Sequence, residues 1–247
     1  MSSAALTCDT VSVTYGSFKA LTDVSVSFKR GRLSAIIGPN GAGKTTFLNV
    51  LTGIVLPTHG RVLFGDRDIT RLNVERRALI GIGRSFQTVN IFPEMTVEEN
   101  LRLAAQRRLF RFQPFFRPVT SYTTLAAAVA EVLPLVRLAP YAGVEAGKLS
   151  HGNQRALELG LTIIGQPDII LLDEPLAGIG RDEIVPTMEL LRSIARSRTM
   201  ILVEHNMDVV MNLADDILVL VGGRVLKRGT PTEVRSDMAV KEAYLGR

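Results

Sequence analysis

The sequence predicts an α/β fold with an antiparallel β layer at its start and a helical insertion in its middle. Three observations predict it. Val11 and Val13, then Val24, Val26 and Phe28, alternate with polar residues as half-exposed strands do. Ala35 to Ile37, Ile169 to Leu172 and Met200 to Val203 lack that alternation and read as strands buried on both faces. Between the first two of these runs, about Val97 to Ala146, the pattern turns helical.

Taken in order, the chain opens with two antiparallel strands, toward Tyr15 and through Phe28. The strand at Ala35 runs straight into Gly38-Pro39-Asn40-Gly41-Ala42-Gly43, after which Phe47, Leu48 and Leu51 keep helical spacing until Gly53. In the middle stretch, alanine-rich residues Thr124 to Val136 mark a helix, and Pro114, Pro118, Pro134 and Pro140 mark breaks. Leu157, Leu161 and Ile164 line the face of another helix. The two further buried strands follow, and Ile217 to Val221, Gly222-Gly223 and Arg224 to Lys227 close as a hairpin. The pattern divides residues 1–247 into one domain with a helical sub-domain at about 88–164.

Composition narrows the function classes. With 247 residues, 46% of them hydrophobic, the chain can bury a sizeable core. The Val/Ile/Leu content argues against disorder, and the apolar runs fall far short of the roughly 20 residues of a membrane span. Met1 to Asp9 lacks the basic start and apolar stretch of a secretory signal, so a cytoplasmic location is expected. A lone Cys8 and three scattered histidines offer no disulfide and no zinc spacing. The net charge of +5 is local: Arg102, Arg107, Arg108, Arg111 and Arg117 fall in a stretch without acids, and the remainder is balanced.

Two segments carry recognisable chemistry. Gly38 to Thr45 fits G-x-x-x-x-G-K-[ST] between a strand and a helix, the context this motif needs. Its glycines let backbone N–H groups close around phosphate oxygens, Lys44 adds a cation for the β- and γ-phosphates, and the Thr45 hydroxyl is a ligand for Mg²⁺. Thr46 continues the loop into the helix. A nucleoside triphosphate is therefore the expected substrate. Asp168 to Pro175 places four apolar residues ahead of Asp173 and Glu174. A buried strand ending in Asp173 puts one carboxylate where it can hold Mg²⁺ through water, and Glu174 can polarise an attacking water.

Leu149-Ser150-His151-Gly152-Asn153-Gln154 precedes that strand. By itself Ser150 reads as a helix N-cap. In this setting the segment resembles the Leu-Ser-Gly-Gly-Gln signature of the nucleotide-binding subunits of ABC transporters, and the resemblance spans nearly the whole chain. It implies a P-loop NTPase of the ABC type, with an antiparallel β sub-domain and a helical sub-domain, that hydrolyses ATP with Mg²⁺. Ser150 and Gly152 then contact the γ-phosphate of ATP held by a second ATPase subunit. The same resemblance makes Tyr15 the aromatic that stacks on adenine, Gln87 the glutamine that joins Mg²⁺ and water to the helical sub-domain, and His205 the switch that touches the γ-phosphate. Among the departures from the pattern, His151 stands at the first signature glycine, and Gly180 where aspartate is usual.

Within the family, Leu149 to Gly152, Leu172 to Gly178, Val203 to Met207 and Glu242 to Gly246 resemble the branch that imports branched-chain and other hydrophobic amino acids. ATPases of urea or short-amide importers and of lipopolysaccharide export are alternatives. A soluble ABC protein outside transport is a different class, disfavoured because such chains usually carry two nucleotide domains or a long coiled coil. The resemblance implies partners: membrane permease subunits, a second ABC ATPase subunit and, indirectly, a periplasmic solute-binding protein, with this chain peripheral on the cytoplasmic face of the inner membrane. The Arg/Phe segment, residues 107–117, suits single-stranded nucleic acid by charge and stacking, and equally suits acidic headgroups or a permease surface. In a membrane-docked subunit the second reading is preferred, and no nucleic-acid partner is expected.

Overall fold

The computed structural model describes residues 4–85, 90–109 and 123–245. Gln87 and most of the Arg/Phe segment lie outside the described residues. The chain forms two compact units, one made of Met1–Arg84, Asp168–Pro175 and Ala195–Arg247, the other of Ser85–Pro167 and Leu176–Ile194.

The first unit holds two sheets. Strands β1 (Ala4–Tyr15) and β2 (Phe18–Lys29) pair antiparallel, and with β4 (His59–Phe64) and β5 (Arg67–Asp68) they make a four-stranded sheet in the order β2-β1-β4-β5. Helix α1 (Lys44–Thr52) buries Phe47, Leu48, Val50 and Leu51 in one apolar cluster with Val11 and Phe28 of that layer and Ile36, Leu171 and Ile201 of the second sheet. The second sheet contains β3 (Leu33–Ile37), β6 (Ile82–Arg84), β7 (Ile169–Asp173), β8 (Thr199–Val203), β9 (Asp216–Val221) and β10 (Arg224–Gly229), in the order β10-β9-β3-β8-β7-β6. All its pairings are parallel except the β9–β10 hairpin. Every residue of β3, β7 and β8 is buried, which is why these strands read as unbroken apolar runs. Four short helices, α2 (Val74–Leu79), α7 (Met207–Leu213), α8 (Pro231–Ser236) and α9 (Met238–Leu245), complete this unit.

The second unit is helical: α3 (Val97–Leu109), α4 (Thr123–Leu135), α5 (His151–Ile163) and α6 (Arg181–Ala195). Helices α3, α4 and α5 pack around Leu101, Leu125, Val129, Val132 and Leu157, all buried. Pro134 falls inside α4, one residue before the helix ends, consistent with a break at its C-terminus. Among the described residues no helix is long and apolar enough to cross a membrane.

Candidate nucleotide site

Register brings the motifs together. Ile36 of β3 lies beside Val203 of β8, and Val203 lies beside Asp173 of β7. Three adjacent parallel strands therefore end side by side, and their carboxyl ends release the glycine loop, Asp173-Glu174 and Glu204-His205 toward one edge. In open α/β sheets this edge, where strand order departs from sequence order, is where ligands bind.

The loop from Gly38 leads into α1 through Gly43, which adopts φ 94° and has no side chain with which to cap the helix. A Cβ on Gly43 would lie 2.7 Å from the Ala20 carbonyl oxygen, so this turn admits only glycine. The first turn of α1 also lacks an acidic residue, and its N–H groups thus face the loop without a side-chain cap. Lys44 is buried, and its ammonium donates to the carbonyls of Gly38 at 2.7 Å and Pro39 at 3.0 Å. Burial lowers its pKa, while Glu174 and Asp173 pull the other way and favour the charged form. A cavity of ≈ 370 Å³ is lined by Asn40 to Thr46, Phe18, Ala20, Glu174 and His205.

At the ends of β7 and β8, Glu174 Oε1 and His205 Nε2 lie 2.5 Å apart. Glu174 sits in the left-handed region at φ 49°, unusual for a residue with a Cβ, and its N–H donates to the Val203 carbonyl. Asp173 is buried. Its pKa is raised by desolvation and by neighbouring Glu174, against the lowering effect of Arg84. One of its oxygens, Oδ2, lies 3.4 Å from the Arg84 guanidinium, and the other, Oδ1, has no hydrogen-bond partner among the described residues. Asp173 does not line the cavity itself, but its neighbour Glu174 does, together with Thr45, and an unsatisfied buried carboxylate oxygen next to these two is a hard-oxygen environment that fits Mg²⁺.

In the helical unit, Ser150 caps α5, accepting from the Asn153 N–H as expected of an N-cap. Its hydroxyl also donates to Glu183 Oε1 at 2.8 Å, and the Gly152 N–H donates to Glu183 Oε2 at 3.1 Å. A carboxylate thus rests on the two groups named from the sequence, so this helix end accommodates an anion.

Most residues expected at the phosphate loop and the acidic strand line one cavity. Tyr15 lies outside that lining: it is half exposed and stands opposite Phe18 across the β1–β2 turn, and it is Phe18 that lines the cavity. Phe18, Arg84 and Glu183 are not among the site residues that the sequence singles out. Phe18 had a signal available, an aromatic three residues past Tyr15 in a hairpin; Arg84 and Glu183 belong to no motif.

The chain resembles known proteins along most or all of its length. The family model described as ABC transporter matches residues 21–177. The chain is 36% identical to the high-affinity branched-chain amino acid transport ATP-binding protein LivG of Salmonella typhimurium, over 100% of this chain and 99% of that one. It is 37% identical to BraF of Pseudomonas aeruginosa, described in the same words, over 94% of each. Among solved structures, the ADP conformation of MJ1267, an ATP-binding cassette of an ABC transporter, superposes with a TM-score of 0.87 at 30% identity, covering both chains fully. The chain therefore belongs to the ABC transporter family, as an ATP-binding and ATP-hydrolysing subunit.

Proposed function

We propose that this subunit energises an importer of branched-chain or other hydrophobic amino acids. The observation that carries the reading is end-to-end similarity to LivG at 36% identity, covering 99% of that protein. In this reading the chain works on the cytoplasmic face of the inner membrane with permease subunits and a second ATPase subunit, and a periplasmic binding protein delivers the solute.

In this reading the backbone from Gly38 through Thr46, with Pro39, Asn40, Gly41, Ala42 and Gly43, wraps the ATP phosphates, and Lys44 leaves its two loop carbonyls to meet the β- and γ-phosphates. Tyr15 stacks on adenine, with Phe18 at the cavity wall as its neighbour. Thr45, Asp173 and Gln87 hold Mg²⁺, which when bound offsets phosphate charge. Glu174 takes the proton of the attacking water, and His205 holds Glu174 and senses the γ-phosphate. Support for the pairing of Glu174 and His205 is their 2.5 Å contact. Ser150 and Gly152 receive the γ-phosphate bound by the second subunit, so that ATP closes the pair and hydrolysis reopens it.

Two experiments test the reading. Cells that lose this chain are expected to lose uptake of radiolabelled leucine, isoleucine and valine while urea uptake is retained. Wild type restores uptake and Glu174→Gln does not; loss of urea uptake with leucine uptake intact overturns the amino-acid assignment. The shared site predicts that Lys44→Ala and Ser150→Arg chains, each inactive alone, recover part of the ATPase activity when mixed, if the subunit pairs with itself. Mixed dimers without recovered activity overturn it.

A further inference from the structure

Arg84 ends β6, and its side chain is only 10% exposed. Its Nη1 donates to Asn49 Oδ1 at 2.7 Å and to Thr52 Oγ1 at 3.0 Å, both on α1, the helix that begins with Lys44. Its Nη2 reaches Asp173 Oδ2 at 3.4 Å. The guanidinium therefore bridges the helix behind the phosphate loop and the carboxylate at the end of β7. Only a planar fork of donors can face a side-chain amide and a hydroxyl on one side and a carboxylate on the other.

We propose that Arg84 is a positioning residue for the ATPase reaction, holding Asp173 by one oxygen so that the other is presented to Mg²⁺. Two features of the site require such a group. Asp173 is buried beside a second carboxylate, Glu174, and a buried charge is tolerated only with a compensating partner. The two oxygens of Asp173 are also inequivalent: Oδ2 faces Arg84, while Oδ1 has no hydrogen-bond partner among the described residues. A carboxylate without that anchor is free to rotate and offer either oxygen. The anchor is itself fixed to α1 through Asn49 and Thr52, so the carboxylate and the phosphate loop keep a set spacing.

The inference rests on the reading that Asp173 holds Mg²⁺, and the test separates the two. The full-length chain is titrated with fluorescent N-methylanthraniloyl-ADP in EDTA, and then with Mg²⁺ at fixed nucleotide. Arg84→Gln is expected to raise the Mg²⁺ concentration for half-maximal response about 10- to 100-fold, the usual effect of removing an outer partner of a metal ligand, and to leave EDTA affinity within about twofold. Arg84→Lys, which keeps the charge and loses the fork, falls between. Should Arg84→Gln not fold, Thr52→Val, which removes one anchor of the guanidinium, is expected to shift the Mg²⁺ response about threefold in the same direction. Asp173→Asn is the control. If it shifts the Mg²⁺ response and the Arg84 variant does not, the positioning role is overturned; if Asp173→Asn has no effect, the metal assignment itself fails. Equal losses with and without Mg²⁺ mean that Arg84 only supports the fold, which also overturns the proposal.

Discussion

Glu174 holds a positive φ of 49° at the end of β7, and its carboxylate meets His205 at 2.5 Å. Its backbone is committed, through its N–H on the Val203 carbonyl, to turning the side chain out of the sheet edge. An amide at this position keeps the shape and loses the basicity, so Glu174→Gln is expected to retain ATP binding and lower turnover about 10²- to 10⁴-fold. Steady-state ATPase measured beside equilibrium nucleotide binding checks both halves. Glu183 makes a different kind of contact, accepting from the Ser150 hydroxyl and the Gly152 N–H at once. Glu183→Ala removes both bonds while Ser150 keeps its bond to Asn153, and a loss of about 1 kcal/mol in urea denaturation is expected. Neither Glu183 nor Arg84 could be picked from the sequence, because a single carboxylate or guanidinium acquires a role only from the side chains folded against it. Asp173 and Lys44 were legible because their motifs fix them relative to a strand or loop in the same segment.

The β9–β10 hairpin shows how an element acts at a distance in sequence. Gly222 and Gly223 both have positive φ, 54° and 74°, as a tight hairpin of right-handed twist requires. Gly223 also accepts from the Thr22 N–H of β2 and donates to the Ala42 carbonyl, so the hairpin tip clips the antiparallel sheet to the phosphate loop. A Cβ there would sit 2.5 Å from the Ala20 carbonyl oxygen. Gly223→Ala is expected to cost about 2 kcal/mol or more and to weaken nucleotide binding together with stability. Urea unfolding and ATP titration of the same preparation test the link, and a destabilised variant with unchanged ATP affinity would show that the clip does not reach the loop. From the sequence the hairpin was readable from its two glycines. Its docking onto β2 and Ala42 was not, since about 180–200 residues separate the partners.

On the scale of the molecule, the buried thiol of Cys8 makes folding sensitive to alkali. Burial pushes its pKa from 9.0 up to about 12, with the charge of Arg77 pulling weakly against it. The folded chain therefore keeps the proton that the unfolded chain releases above pH 9. Stability from this group is complete below that pH and is lost as pH rises toward 12, by at most about 1.4 kcal/mol per unit. Urea midpoints taken between pH 8 and 11 are expected to fall more steeply for wild type than for Cys8→Ala; parallel slopes would remove Cys8 from the account. The helical unit takes in Leu176–Ile194 as well as Ser85–Pro167, and nothing in the local pattern of α6 announces that it joins the unit of the helices encoded before β7.

The sequence by itself determined the elements and the chemistry that depend on near neighbours. The unbroken apolar runs of β3, β7 and β8, the glycines ahead of Lys44, and the acids at the end of β7 are local patterns, and each is found where its pattern predicts. Only the tertiary structure decided which strand ends meet. Parallel pairing of β3 with β8 and of β8 with β7 is set by burial on both faces of the sheet, a condition that many strand orders satisfy equally in one dimension. Register then placed Glu174 against His205, and Arg84 between α1 and Asp173, because side-chain partners are chosen by distance in space and a sequence records only distance along the chain.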